Sequence, residues 1–175
     1  MSAYLITGPN GSGKSTTGQE LARRGFAVIE ADHEPGISQW TDMATGKPVA
    51  QTDLPPYPFP ESWLATHKWV WSKDALSQLI DRQQRDIFIV GGAFNQSTMY
   101  DLFDKWFSLL VPSDIMKERL QNRGEGQRWA DDSPELARSL SWNERSSKID
   151  AAAGAIIIDS GRPVELIAED ILAHL

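Results

Sequence analysis

The residues Gly8-Pro9-Asn10-Gly11-Ser12-Gly13-Lys14-Ser15 match the phosphate-binding pattern G-x-x-x-x-G-K-[ST] at every fixed position. Glycines at 8, 11 and 13 permit the backbone conformations that turn a row of N–H groups toward phosphate oxygens. Lys14 is expected to reach the β- and γ-phosphates of ATP, and the Ser15 hydroxyl to sit on Mg²⁺. Asn10, Ser12 and Thr16 complete the expected nucleotide contacts. The same letters could form a glycine-rich turn with a surface lysine, so the flanks decide. Ala3 to Thr7 is a short apolar run that reads as a buried strand, and Lys14 to Arg24 is a proline-free helical stretch closed by Gly25.

A second group of chemistry-bearing residues follows the next apolar run, Phe26 to Glu30, which delivers Asp32 and His33 to the carboxyl end of a strand. In open α/β sheets that edge is where ligands bind. Asp32 could help hold Mg²⁺ through water or accept the proton of an acceptor hydroxyl, and His33 is a weaker substrate candidate. Many proteins with this phosphate loop place a magnesium-associated carboxylate at the end of the following strand. Here Asp86 to Val90 runs instead into Gly91-Gly92-Ala93-Phe94-Asn95-Gln96, so the carboxylate must come from elsewhere and Asp32 is the best candidate. Asn95 and Gln96 are placed to hydrogen-bond an acceptor. Arg119, Arg123 and Arg128 are candidates to close over the transferring phosphoryl group.

These residues need a scaffold, and the patterning supplies one. Further strands are expected over Trp106 to Val111 and Ala155 to Asp159, with helices over Ser72 to Gln84, Ser97 to Asp104, Ser113 to Arg123, Pro134 to Ala152 and Pro163 to His174. Five strands alternating with helices predict a parallel sheet covered on both faces, a three-layer α/β/α domain spanning residues 1–175. Prolines at 35, 48, 55, 56, 58 and 60 make Glu34 to Pro60 largely loop, with a short helix near Glu61 to Lys68. Residues 31–72 also hold Trp40, Tyr57, Phe59, Trp63, Trp69 and Trp71, so this region is assigned to acceptor binding, with Trp69 and Trp71 as contact candidates. The glycine-hinged, polar stretch 124–133 has the composition of a mobile lid.

Composition sets the class. The formal charge of −7 and pI near 4.9 argue against a nucleic-acid partner. No apolar run reaches membrane-spanning length, and the N-terminus enters directly into a needed strand rather than a signal peptide. The absence of cysteine suits a cytoplasmic address and excludes thiolate metal sites.

With these motifs in place the chain resembles the P-loop kinases of small molecules, the group that includes adenylate, shikimate and gluconate kinases. Ile29-Glu30-Ala31-Asp32 is similar to the second-strand end of shikimate kinase, whose carboxylate meets acceptor and metal. Val90-Gly91-Gly92 resembles the same family's third-strand end. Arg119-Leu120-Gln121-Asn122-Arg123 with the stretch after it resembles the helix and lid whose arginines face phosphate. The turn Asp159-Ser160-Gly161-Arg162-Pro163 is placed like the loop that meets the base of ATP, which implies a nucleotide role for Arg162.

The departures from that family are equally informative. Nucleoside monophosphate kinases and shikimate kinase clamp an anionic acceptor with arginines after strands two and three. Here residues 31–72 hold no arginine and a formal charge of −3, and Gly91 to Gln96 holds none either. Bidentate guanidinium pairing is the usual solution for phosphate or carboxylate. The expectation is therefore transfer of the γ-phosphoryl of ATP to a hydroxyl of a small, neutral or cationic, ring-bearing acceptor such as a nucleoside, sugar or antibiotic, with Lys14, Asp32, Arg119 and Arg123 catalytic. The alternatives are a nucleoside monophosphate kinase, a non-kinase nucleotide-dependent ATPase or switch, and a nucleic-acid 5′-hydroxyl kinase. The switch is disfavoured because the chain has no N-K-x-D motif.

Overall fold

The computed structural model of the chain describes residues 1–57, 59–122 and 133–175. Its centre is a five-stranded parallel sheet built from β1 (Ala3–Thr7), β2 (Ala27–Glu30), β5 (Ile87–Val90), β6 (Lys105–Leu110) and β7 (Ile156–Asp159), in the order β2-β5-β1-β6-β7. The register follows Leu5 opposite Ile89 on one side and Trp106 on the other. The strands are apolar along their length because both faces are covered. Tyr4, Ile6, Phe88, Val90, Phe107 and Leu109 point to the face covered by α1 (Lys14–Arg23) and α6 (Val164–Ala173), where they meet Leu21, Ile167 and Ile171. Leu5, Ile87, Ile89 and Trp106 point to the other face and meet Leu76 and Ile80 of α3 (Lys73–Asp81) together with Met99 and Phe103. The long helix α5 (Pro134–Ala152) packs across β6 and β7, and α4 (Ser113–Gln121) joins it through Met116, Leu120 and Leu136.

The expected five strands, their parallel pairing and the three layers are all present. Three local features differ. The segment expected to be loop contains β3 (Ser38–Asp42), which pairs antiparallel with β4 (His67–Trp71) in a separate two-stranded sheet. The expected helix near Glu61 to Lys68 stops earlier, as α2 (Glu61–Thr66), because the alternation from His67 onward is taken up by β4. The expected helix at Ser97 to Asp104 is a 3₁₀ helix over Gln96–Leu102. The lid expected at 124–133 lies outside the described residues except for Ser133, which caps α5 by accepting from the Leu136 N–H. Among the described residues no helix is long and apolar enough to cross a membrane.

The hairpin β3-β4 is not a loose appendage. Ser38 donates to the Ala31 carbonyl at 2.6 Å, and the Ser72 N–H donates to the Ile37 carbonyl at 2.8 Å. On its other side the Phe94 N–H donates to the Trp69 carbonyl at 2.8 Å. Asn95 closes the joint by accepting from the Trp71 N–H at 2.9 Å and donating to the Trp71 carbonyl at 2.8 Å. The hairpin therefore spans the ends of β2 and β5, where the acidic residues of the sequence emerge.

Candidate functional site

The phosphate loop takes the conformation its glycines permit. Gly8, Gly11 and Gly13 have φ of 141°, 82° and 92°, and a Cβ at Gly8 would stand 2.8 Å from the Leu109 carbonyl oxygen. Helix α1 starts at Lys14 with no side-chain cap at Gly13, and its first residues, Lys14, Ser15 and Thr16, line a cavity. That is the arrangement that suits a phosphate. The Lys14 ammonium meanwhile donates to the Gly8 and Pro9 carbonyls at 2.9 and 3.0 Å.

Two cavities open onto this loop. The first, of about 480 Å³, is lined by Asn10, Gly11, Gly13, Lys14, Ser15 and Thr16 of the loop, by Glu30, Asp32 and His33 after β2, and by Arg119, Val164 and Ile167. The second, of about 600 Å³, lies on the hairpin side and is bounded by Trp40, His67, Lys68, Trp69, Phe94 and Trp142 among others. Asn10, Lys14 and Asp32 line both. A donor phosphate on the loop and an acceptor on the hairpin side would therefore meet between the lysine and the carboxylate.

Asp32 is held in a specific way. Trp69 and Trp71 alternate along β4, so their rings emerge on one face of the strand. Both indole N–H groups donate to Asp32 Oδ1, at 2.9 Å from Trp69 and 3.3 Å from Trp71. The other oxygen, Oδ2, lies against Gly91. A Cβ at Gly91 would stand 3.3 Å from that oxygen and 2.8 Å from Cζ2 of Trp71, and the residue has a φ of 152°. The glycine at the end of β5 thus clears room for the carboxylate and the buried indole together.

The carboxylate nearest the helix N-terminus is Glu30. Ser15 donates to Glu30 Oε2 at 3.2 Å, and His33 Nδ1 stands 3.1 Å from the same oxygen. The sequence reading placed the metal on Ser15 and Asp32; the side chain the fold puts beside Ser15 is Glu30. A strand-terminal glutamate gives no local signal of this, since the contact depends on how α1 lies across β2. Among the described residues no group of three or more His, Asp or Glu forms an all-protein metal cage. Mg²⁺ normally takes one or two carboxylates and relies on phosphates for the rest, and Ser15, Glu30 and Asp32 around one cavity fit that demand.

The remaining candidates divide. Arg119 Nη2 donates to the Ser160 carbonyl at 3.0 Å and Nη1 to the Gly11 carbonyl at 3.4 Å, which holds the guanidinium at the phosphate loop. Ser12 is fully buried in the loop, with a hydroxyl that has no partner among the described residues. Arg162 is turned to Asp170 at 2.6 Å and lines neither cavity, whereas its neighbours Val164 and Ile167 line the first. Asn95 spends both ends of its amide on the Trp71 backbone, and Trp71 is buried behind Asp32; neither lines the hairpin-side cavity, whereas Gln96 does. Arg123 and Arg128 lie outside the described residues. No arginine lines the hairpin-side cavity among the described residues. Arg138 pairs with Glu61 at 2.6 Å and Arg85 donates to the Gly25 carbonyl.

The sequence profile of the AAA domain family matches residues 5–138, from β1 into the first turns of α5. No curated protein matches the sequence significantly. Among solved structures the chain is similar to a shikimate kinase from Acinetobacter baumannii in complex with shikimate, at 17% identity over 99% of this chain and 92% of that one, with a TM-score of 0.63. It is similar to a deoxyadenosine kinase from M. mycoides with bound dATP, at 14% identity over 98% of both chains and a TM-score of 0.56. A gluconokinase from Sinorhizobium meliloti 1021 aligns at 18% identity over 98% of this chain and 90% of that one, with a TM-score of 0.55. At these identities, what is shared is the fold.

Proposed function

We propose, for a chain that belongs to the AAA domain family and has the fold of the P-loop small-molecule kinases, that it transfers the γ-phosphoryl group of ATP to a hydroxyl of a small, neutral or cationic, ring-bearing acceptor. The observation that carries this reading is the meeting of two cavities at Lys14 and Asp32. A protein that only hydrolyses or senses nucleotide has no use for the second, aromatic-walled one.

In the reaction the acceptor oxygen bonds to the γ-phosphorus as the bond to the β,γ-bridging oxygen breaks, and ADP leaves with that electron pair. The acceptor hydroxyl lies against Asp32 Oδ2, the oxygen the indoles leave open, and its proton passes there. Lys14 leaves the loop carbonyls to neutralise charge growing on the transferring group, and Arg119 supports the phosphates from the opposite side. Ser15 and Glu30 are the residues that would hold Mg²⁺, which supplies charge neutralisation between the phosphates when bound. Trp40 and Trp69, paired across β3 and β4 with ring centroids 5.6 Å apart and planes inclined at 63°, offer the acceptor an angled apolar wall.

That no arginine among the described residues lines this cavity supports a neutral or cationic acceptor over a nucleoside monophosphate. The test is an acceptor screen with ATP and Mg²⁺ over nucleosides, nucleoside monophosphates, sugars and aminoglycosides, reading ADP release and product mass. Phosphorylated product from a nucleoside, sugar or aminoglycoside is the expected result. Rapid turnover of a nucleoside monophosphate would overturn the acceptor class. ADP release with no phosphorylated product under any acceptor would overturn the kinase reading in favour of an ATPase.

A further inference from the structure

The walls of the acceptor-side cavity are aromatic, but its floor is polar. Thr7 donates to Gln96 Oε1 at 2.8 Å, Gln96 Nε2 donates to the Tyr100 hydroxyl at 3.3 Å, and Ser108 donates to Asp150 Oδ2 at 2.6 Å. Asp150 lies near the end of α5 and is only 8% exposed. It lines the cavity together with Trp142 and Ser146, which precede it by two turns and one turn on the same helix face. Its second oxygen, Oδ1, has no hydrogen-bond partner among the described residues, and no described cation pairs with it.

Burying a carboxylate without a counter-ion is unfavourable, and burial pushes the Asp150 carboxyl above its ordinary range. The fold itself gains little from the charge. The Ser108 hydroxyl needs one acceptor oxygen, which an asparagine would supply equally well. A costly charge that the fold does not use, on a residue that lines a cavity, is the mark of a group kept for a ligand.

The cations around the cavity are already engaged. Lys68 donates to the Leu64 carbonyl and lies 5.5 Å from the centroid of the Phe94 ring, and Lys14 belongs to the phosphate loop. The Tyr100 phenol is pushed up, first by burial and further by the charge on Asp150, so it stays neutral beside the carboxylate. Trp40, Trp69 and Trp142 line the same space, and aromatic faces attract cations. The cavity thus holds one carboxylate at Asp32 for the reacting hydroxyl and a second at Asp150, on another element, bonded to the Ser108 hydroxyl but paired with no cation among the described residues.

We infer that Asp150 is a specificity-determining residue that binds the ammonium group of a hydroxylated amine, an amino sugar or amino alcohol, while the hydroxyl of that amine meets Asp32. This rests on the kinase reading above and narrows its acceptor from neutral or cationic to cationic.

The experiment assays the full chain with ATP and Mg²⁺ on matched pairs: amino sugars and amino alcohols, each beside the counterpart in which a hydroxyl replaces the amine. Wild type and Asp150→Asn are compared, with kcat and KM read separately. Wild type is expected to prefer the amine by tenfold or more in kcat/KM, and Asp150→Asn to raise the amine's KM by tenfold or more and to lose the preference within each pair. Equal use of both members of each pair, or an amine preference that survives in Asp150→Asn, overturns the assignment. A calorimetric titration of wild type with each pair gives a reading independent of the variant: amine binding tenfold tighter supports the assignment, and equal binding overturns it. Phosphorylation of hydroxyl counterparts alone overturns the role of Asp150 and leaves the kinase reading standing. ATP binding with no phosphorylated product from either class overturns both.

Discussion

The indole N–H of Trp69 donates to Asp32 Oδ1 at 2.9 Å, so the side chain that walls the hairpin-side cavity also fixes the carboxylate at its junction with the phosphate-loop cavity. Trp69→Phe keeps an aromatic face but removes the N–H donor together with part of the indole. A hydrogen bond to a charged group contributes about 1.5–3 kcal/mol, so kcat is expected to fall about tenfold or more, with the KM for ATP unchanged. Steady-state kinetics check this, and an unaltered kcat would show that Asp32 is held without the indole.

Glu30 and Asp32 are expected to separate in their kinetics. Glu30→Gln keeps a partner for Ser15 but loses the charge, and it should raise the Mg²⁺ concentration needed for half-maximal rate by about tenfold. Asp32→Asn should lose turnover by about a hundredfold while keeping ATP affinity. Titrating Mg²⁺ against rate in both variants, with ATP binding measured directly, tests the division. The reverse pattern would return the metal to Asp32.

Gly91→Ala places a methyl 2.8 Å from Trp71 Cζ2 and 3.3 Å from Asp32 Oδ2, at a φ of 152° that side-chain-bearing residues rarely adopt. Strain of this kind costs about 1–3 kcal/mol, or a fall in Tm of about 3–10 °C for a chain of this size. Turnover should fall along with stability, because the methyl displaces the carboxylate itself. Thermal unfolding and kinetics on the same preparation check both.

The foot of α1 supplies a pH-dependent contribution. Hydrogen bonds from Arg23 and then Arg24 hold the Glu20 carboxyl down to about 2 from 4.5. A carboxyl lowered in the folded state stabilises the fold above its ordinary pKa and loses that contribution as pH falls toward the folded value. The Tm difference between wild type and Glu20→Gln is therefore expected to be full at neutral pH and to shrink between pH 4.5 and 2. A difference that stays constant across that range would assign it to packing.

The parallel sheet was legible because its strands are short apolar runs bounded by glycine, proline or acidic residues, as in Tyr4-Leu5-Ile6 and Ile87-Phe88-Ile89. The hairpin was not. Ser38-Gln39-Trp40-Thr41-Asp42 has one large apolar residue, and its partner strand begins twenty-five residues later, so neither strand declares the other. The phosphate loop was legible as a local motif, and Asp32 from its place after a strand. Glu30 and Asp150 were not, because each acquires its neighbours from the docking of another element: α1 brings Ser15 to Glu30, and β6 brings Ser108 to Asp150. Arg162 shows the converse, a residue at the expected turn whose charge is taken by Asp170 one helix face away.

Two of the chain's seven tryptophans share one carboxylate, and a third, Trp40, packs against the first of them. An indole's emission responds to a charge at its N–H and to a ring stacked on its face. Arrival of an acceptor at Asp32 therefore changes the fluorescence of Trp69 and Trp71 directly, and substitution of those two rings identifies the source of the signal. The site comes with its own optical probe, so acceptor binding can be followed without label, coupled enzyme or turnover.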